Sequence, residues 1–220
     1  MNLRESIEIA GPLGYPSKMP GTAYGISANR CITGRKLAQV KGSVCHGCYA
    51  LKANYQYPSV AQAHAKRLEG LDSPLWTSAM VRQLELTHKR GTGRNGKFAR
   101  GWHRWWDSGD LQSIEHLVKI CAVAALTPWL RHWMPTREFA IVKAYLAKGG
   151  SIPDNLVIRV SATMVDGPAT TQWPTTSRVH HASAPPKTTH VCPAPKQNGK
   201  CKSCRACWSK DVASVSYHLH

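Results

Sequence analysis

Residues 155–163 read NLVIRVSAT. Val157, Ile158 and Val160 are β-branched and suit extended backbone, and no Pro or Gly interrupts the run, so it predicts a strand. Upstream, REFAIVKAYLAKGG (137–150) has apolar residues at helical spacing and is stopped by two glycines, and RHWMPT (131–136) is a short strand. Before these come SIEHLVKICAVAAL (113–126), an apolar-faced helix, and KFARGWHRWWDSGD (97–110), a strand ending in a polar turn. The order is β-α-β-α-β, which implies parallel strands joined by crossovers. The fold class is therefore α/β: a partial (incomplete) α/β barrel or an open parallel sheet, with loop-rich, cysteine-containing N- and C-terminal segments.

Two more helices precede this block. One runs from about Ser59 to Leu71. The other lies in DSPLWTSAMVRQLELTHKRG (72–91), with Asp72 or Ser73 as cap, Pro74 in the first turn and Gly91 as stop. Residues 1–58 are rich in Gly and Pro and read as loop with at most short strands. Residues 166–188, full of Thr, Ser and Pro, read as a linker, and 189–220 form a terminal cysteine segment. A chain of 220 residues supports one domain with its α/β core at 59–165. With 42% apolar residues and no run of ~18 apolar positions, no membrane span is expected, and MNLRESIEIAGPLGYP has no secretory apolar core. The expected location is cytoplasmic, where thiols stay reduced and open to metals.

In parallel α/β folds, chemistry gathers at the carboxyl ends of the strands. This nominates Asp107 and Asp110 after the first strand, Arg137 and Glu138 after the second, and Ser161 after the third. Arg159 joins them because a charge inside an apolar strand needs a partner or a ligand. Helix capping is the competing reading for the aspartates, since Asp110 or Ser113 can start the next helix. Ser161, with Tyr49 beside Cys48, is a candidate for cofactor contact.

Cysteine spacing carries the sharpest signal. Cys192, Cys201, Cys204 and Cys207 form C-x8-C-x2-C-x2-C. Consecutive x2 spacings suit a [4Fe–4S] cubane, whose irons sit at separate corners, better than the two separated pairs usual for zinc. Cys31, Cys45 and Cys48 form C-x13-C-x2-C with no fourth cysteine nearby. A cluster on three thiolates leaves one iron open to substrate, S-adenosylmethionine, water or another side chain. Zinc is the alternative metal, with His46 or His64 completing the first set. Cys121 lies on an apolar helix face and reads as a small buried hydrophobe.

With 29 Lys+Arg against 12 Asp+Glu, the formal charge is +17, a field that attracts nucleic acid, a nucleotide or an acidic host protein. Eight tryptophans, several beside basic residues as in GWHRWW and PWLRHW, can stack on bases or pack the core.

CHGCYA (45–50), HRWWDSGDL (103–111), NLVIRVSAT and the terminal CxxCxxCW (201–208) together resemble the phage "gene product 88" family, from about Gly21 to Trp208. CxxCYA is also similar to an element of phage proteins related to radical S-adenosylmethionine enzymes and spore photoproduct lyase. The resemblance implies an iron–sulfur protein in the host cytoplasm with an open-site cluster at the top of the strands, served by an electron donor if it is catalytic. It departs from the C-x3-C-x2-C spacing typical of radical S-adenosylmethionine enzymes, and no glycine-rich run to hold the methionine moiety is evident.

Overall fold

A computed structural model describes residues 1–90, 100–183 and 185–219. Gly91, the expected helix stop, and Lys97–Ala99, the expected start of the first strand, lie outside the described residues.

The β-α-β-α-β block forms as expected: β2 (Trp102–Trp105), α5 (Ile114–Leu126), β3 (Arg131–Thr136), α6 (Phe139–Ala147) and β4 (Leu156–Val165). It is the centre of a seven-stranded sheet. β1 (Thr22–Tyr24) lies beside β2, and β5 (Thr176–His180), β7 (Ser214–His218) and β6 (His190–Val191) follow β4, in the order β1-β2-β3-β4-β5-β7-β6. Every pairing is parallel, so all strands deliver their carboxyl ends to one edge. The sheet is open, with β1 and β6 at its two edges; the barrel alternative does not hold.

Three expected boundaries shift. Residues 1–58 hold a helix, α1 (Leu3–Ala10), started by a capping box in which Asn2 and Glu5 exchange side-chain and backbone bonds. They also hold the short α2 (Ile32–Leu37). The helices expected at 59–71 and 72–91 are α3 (Pro58–Gly70) and α4 (Trp76–Arg90). The 166–188 stretch is not merely a linker, because β5 lies inside it, between β4 and β7.

A parallel sheet needs both faces covered, and period-2 alternation assigns the residues. Trp105 of β2, Met134 of β3, and Leu156 and Ile158 of β4 join the apolar cluster made with α1, α4, α5 and α6. Cys121 of α5 belongs to that cluster, as its apolar setting predicts. Trp102, Arg104, Trp133 and Arg159 point to the opposite face. There the terminal segment packs, with the 3-10 turn Ala206–Trp208 lying over β3 and β4. Trp208 meets Trp133 at 5.0 Å and Trp102 at 5.6 Å between ring centroids. One face is thus covered by helices and the other, over its middle strands, by a cysteine-bearing loop.

Candidate metal centres

The first cysteine set follows directly from the end of β1. Ile26 N–H donates to the Ser108 carbonyl at 3.1 Å, and a 3-10 turn, Ala28–Arg30, leads into Cys31 at the start of α2. Two anchors hold this segment on the carboxyl edge of the sheet. Glu138 accepts from the backbone N–H of Thr33 at 2.7 Å and from its hydroxyl at 2.8 Å. Val44 N–H donates to the Thr163 carbonyl at 2.9 Å, and Val165 N–H to that of Gly42 at 3.0 Å. Gly34 is required beneath the thiols: a Cβ there would lie 2.9 Å from the Cys31 Cβ and 3.5 Å from the sulfurs of both Cys31 and Cys45. Burial, then the nearby Asp110 and the two other thiols, push Cys31 up to about 12, while Arg137 opposes. Cys45 is raised mainly by burial, again against Arg137. Arg137 is the counter-charge of this set.

These contacts reassign several expected site residues. Asp110 accepts from the Thr136 hydroxyl at 2.6 Å and from the backbone N–H groups of Leu111 and Arg137 at 2.8 Å each. Glu138 is spent on Thr33. Both carboxylates fasten loops, and of the two residues the capping reading offered, Ser113 is the cap of α5, accepting from the His116 N–H at 3.2 Å. Ser161 shares a 3.0 Å hydrogen bond with Ser177 inside the sheet. The Tyr49 hydroxyl donates to the Asp107 carbonyl at 2.9 Å and receives Arg104 at 3.4 Å, which fixes its ring. Asp107 keeps one buried carboxylate oxygen without a partner among the described residues. Arg137 donates through Nε to the Ala162 carbonyl at 3.3 Å and shows no acidic partner among the described residues. Asp107 and Arg137 are the two expected residues with capacity left for a ligand. His46 turns to the Ala38 carbonyl at 3.0 Å and His64 stacks on Tyr55, so neither is drawn to the thiols.

Arg159 is the clearest correction. Its guanidinium donates to the carbonyls of Cys207 (3.0 Å), Thr176 (3.1 Å), Ala206 (2.8 Å) and Ser209 (2.7 Å). The buried charge has its partners in backbone oxygens, three of the cysteine loop and one of β5. That loop is the crossover from β6 to β7, which carries all four remaining cysteines. Cys192, Cys201, Cys204 and Cys207 line one small gap with His190, Pro193, Ala206, Trp208 and Val215. Burial pushes Cys207 up to about 12, against the Tyr217 hydroxyl, 3.2 Å from its sulfur, and Arg159. Burial also raises Cys192 and Cys201, the latter opposed by Arg205 and Arg104. His190 Nε2 lies 3.4 Å from the Cys204 sulfur. Among the described residues no three His, Cys, Asp or Glu side chains converge as a group that could hold an ion. The thiols are gathered as three and four but not closed, and a metal requires their side chains to turn inward.

Arg104 joins the two sets. Beyond Tyr49, it lies 4.6 Å from the centroid of Trp133, and its Nε is buried with no partner among the described residues. Burial works against its charge, but Tyr49, Asp107 and Tyr55 outweigh it and hold the guanidinium firmly cationic. Neither Arg104 nor His190 nor Tyr217 carries a sequence signal beyond its place one face or a few residues from a cysteine. All eight tryptophans are buried or half-buried, which favours core packing over base stacking of the two roles open to them.

The sequence profile of the family described as Gene product 88 matches residues 5–210. The chain belongs to the gene product 88 family. No curated protein and no solved structure matches it. The phage gene product 88 assignment agrees with the resemblance carried by CHGCYA, HRWWDSGDL, NLVIRVSAT and CxxCxxCW. Among the described residues, no helix is long and apolar enough to cross a membrane.

Proposed function

We propose that this gene product 88 protein is an iron–sulfur protein with a [4Fe–4S] cluster on Cys31, Cys45 and Cys48, whose fourth iron stays open, and a second on Cys192, Cys201, Cys204 and Cys207. The carrying observation is the sorting of seven thiols into a three and a four, each facing its own arginines. Clusters on thiolates are anionic, and Arg137 at the first set and Arg159, Arg205 and Arg104 near the second supply compensating charge. The Gly34 cradle leaves room against two sulfurs of the first set. The open iron, with Arg137 beside its thiols, is where a substrate binds; S-adenosylmethionine is the first ligand to test, and a nucleotide or nucleic acid the substrate class suited to the net charge.

A second reading is favoured by one observation. His190 beside Cys204, with a gap of about 10 Å³, a single water's worth of space, suits a lone zinc in the terminal set. The terminal site would then brace the fold while the first set retains iron.

Iron, sulfide and zinc analysis of protein purified without oxygen separates these readings. About eight irons per chain, with an electron paramagnetic resonance spectrum changed by S-adenosylmethionine, supports two clusters and an open iron. About four irons with one zinc supports the mixed reading, and zinc without iron sinks the iron–sulfur proposal.

A further inference from the structure

The tryptophans are withdrawn from the surface, but tyrosines are not. Tyr49 is 47% exposed and Tyr57 58% exposed. Both flank Lys52 in a run of two 3-10 turns, Tyr49–Leu51 and Ala53–Gln56, immediately after Cys48. Tyr49 is held by its hydroxyl, and its ring meets Tyr55 edge-on at 5.8 Å; Tyr55 in turn stacks on His64 at 6.1 Å. The result is an aromatic ledge after the three-cysteine set in which Tyr49 is pre-set and Tyr57 stands open at the start of α3.

Along the chain the charge on either side of the ledge is one-signed, and Asp107, which reaches it from the end of β2, is matched there by Arg104. No Asp or Glu occurs between Glu8 and Glu69, where eight Lys and Arg do, or between Asp166 and Asp211, where there are seven. These two acid-free runs contain both cysteine sets. Arg35, Lys36, Lys41 and Lys52 are all exposed around the first one.

We infer that this ledge is a docking surface for single-stranded nucleic acid, with bases stacked on Tyr57 and Tyr49 and the backbone running along the lysines and arginines. Planar exposed rings interleaved with cations suit a strand whose base faces are free, and a duplex hides those faces. An acidic protein accounts for the cations but not for fixed open rings. The inference rests on the proposed function only for its location, since it puts a nucleic acid beside the open-iron site.

The test is fluorescence anisotropy of a labelled oligo-dT strand with the full chain, against the same strand annealed to its complement and with polyglutamate as competitor. The single strand is expected to bind more tightly than the duplex, with affinity falling steeply as salt rises. Tyr57→Ala is expected to weaken it about tenfold at an unchanged salt slope, and Lys52→Gln to reduce the slope by about one. Tyr57 has no side-chain role in the core, so its loss leaves the fold intact. Duplex binding at equal strength, or a Tyr57→Ala variant binding like wild type, overturns the inference. Displacement by polyglutamate at equal charge also overturns it and points to an acidic protein. Iron measured on the same sample keeps the two ideas apart: strand binding without iron defeats only the cluster proposal, and iron without strand binding defeats only this one.

Discussion

Arg159 shows what a single buried charge does here. Four carbonyls of the chain, three of them in the terminal cysteine loop, depend on its guanidinium. Arg159→Leu strands those acceptors in a buried site, at roughly 1–3 kcal/mol for each one left unsatisfied. We expect a large drop in melting temperature and loss of metal at the terminal set, read by calorimetry and metal analysis. Asp110 gives a pH signature. Burial raises it from 3.8 to about 6, although three donors favour its charged form. Between those values the folded chain holds a proton that the unfolded chain has lost, so stability falls as pH rises through the window, by about 3 kcal/mol in all. Urea unfolding at about pH 4 and about pH 7 tests this: Asp110→Asn is expected to remove that part of the slope, and an unchanged slope refutes the assignment. At this scale the cysteine partition was legible because spacing constrains which thiols can meet. The roles of Asp110, Glu138 and Arg159 were not, because most of their partners, backbone groups and threonine hydroxyls, lie far along the chain.

At the scale of elements, Gly34 is the point where local backbone and site meet. Gly34→Ala inserts a methyl group 2.9 Å from the Cys31 Cβ, against helix backbone with little freedom to yield. Metal is expected to be lost from the first set and kept in the second, and equal loss from both contradicts their independence. Likewise, Cys31→Ala, Cys45→Ala or Cys48→Ala should remove iron while far-ultraviolet circular dichroism stays near wild type, and Cys121→Ala should leave metal content unchanged. The elements themselves were read unevenly for a physical reason. β2, α5, β3, α6 and β4 announce themselves through apolar periodicity. β5 does not: its buried positions include Thr176, Ser177 and His180, polar groups that bond to Ala213, Ser161 and, through the His180 Nδ1, Ser216, so an interior strand looks like a loop. α1 did carry a signal, the Asn2 to Glu5 capping pair, in a stretch dominated by Gly and Pro.

For the whole molecule, the high pKa values of Cys31 and Cys207 matter in sum. Thiols that stay protonated near neutral pH must release protons to a metal, so metal affinity should rise with pH. Competition with a chelator at about pH 6 and about pH 8 reads this directly; no change with pH means that the buried thiols are not the ligands.

The sheet order adds a consequence about time. β7 follows β5 and β6 along the chain, yet its place in the sheet is between them. Until Ser214–His218 arrives, β6 has no neighbour to register against, and the loop bearing Cys192, Cys201, Cys204 and Cys207 is held near Cys207 by Arg159 but not at its β6 end. A growing chain can complete its first thiol set early, but the second waits for the final insertion. If the two sets hold the proposed clusters, their filling is ordered, N-terminal before C-terminal, by the route of the backbone alone.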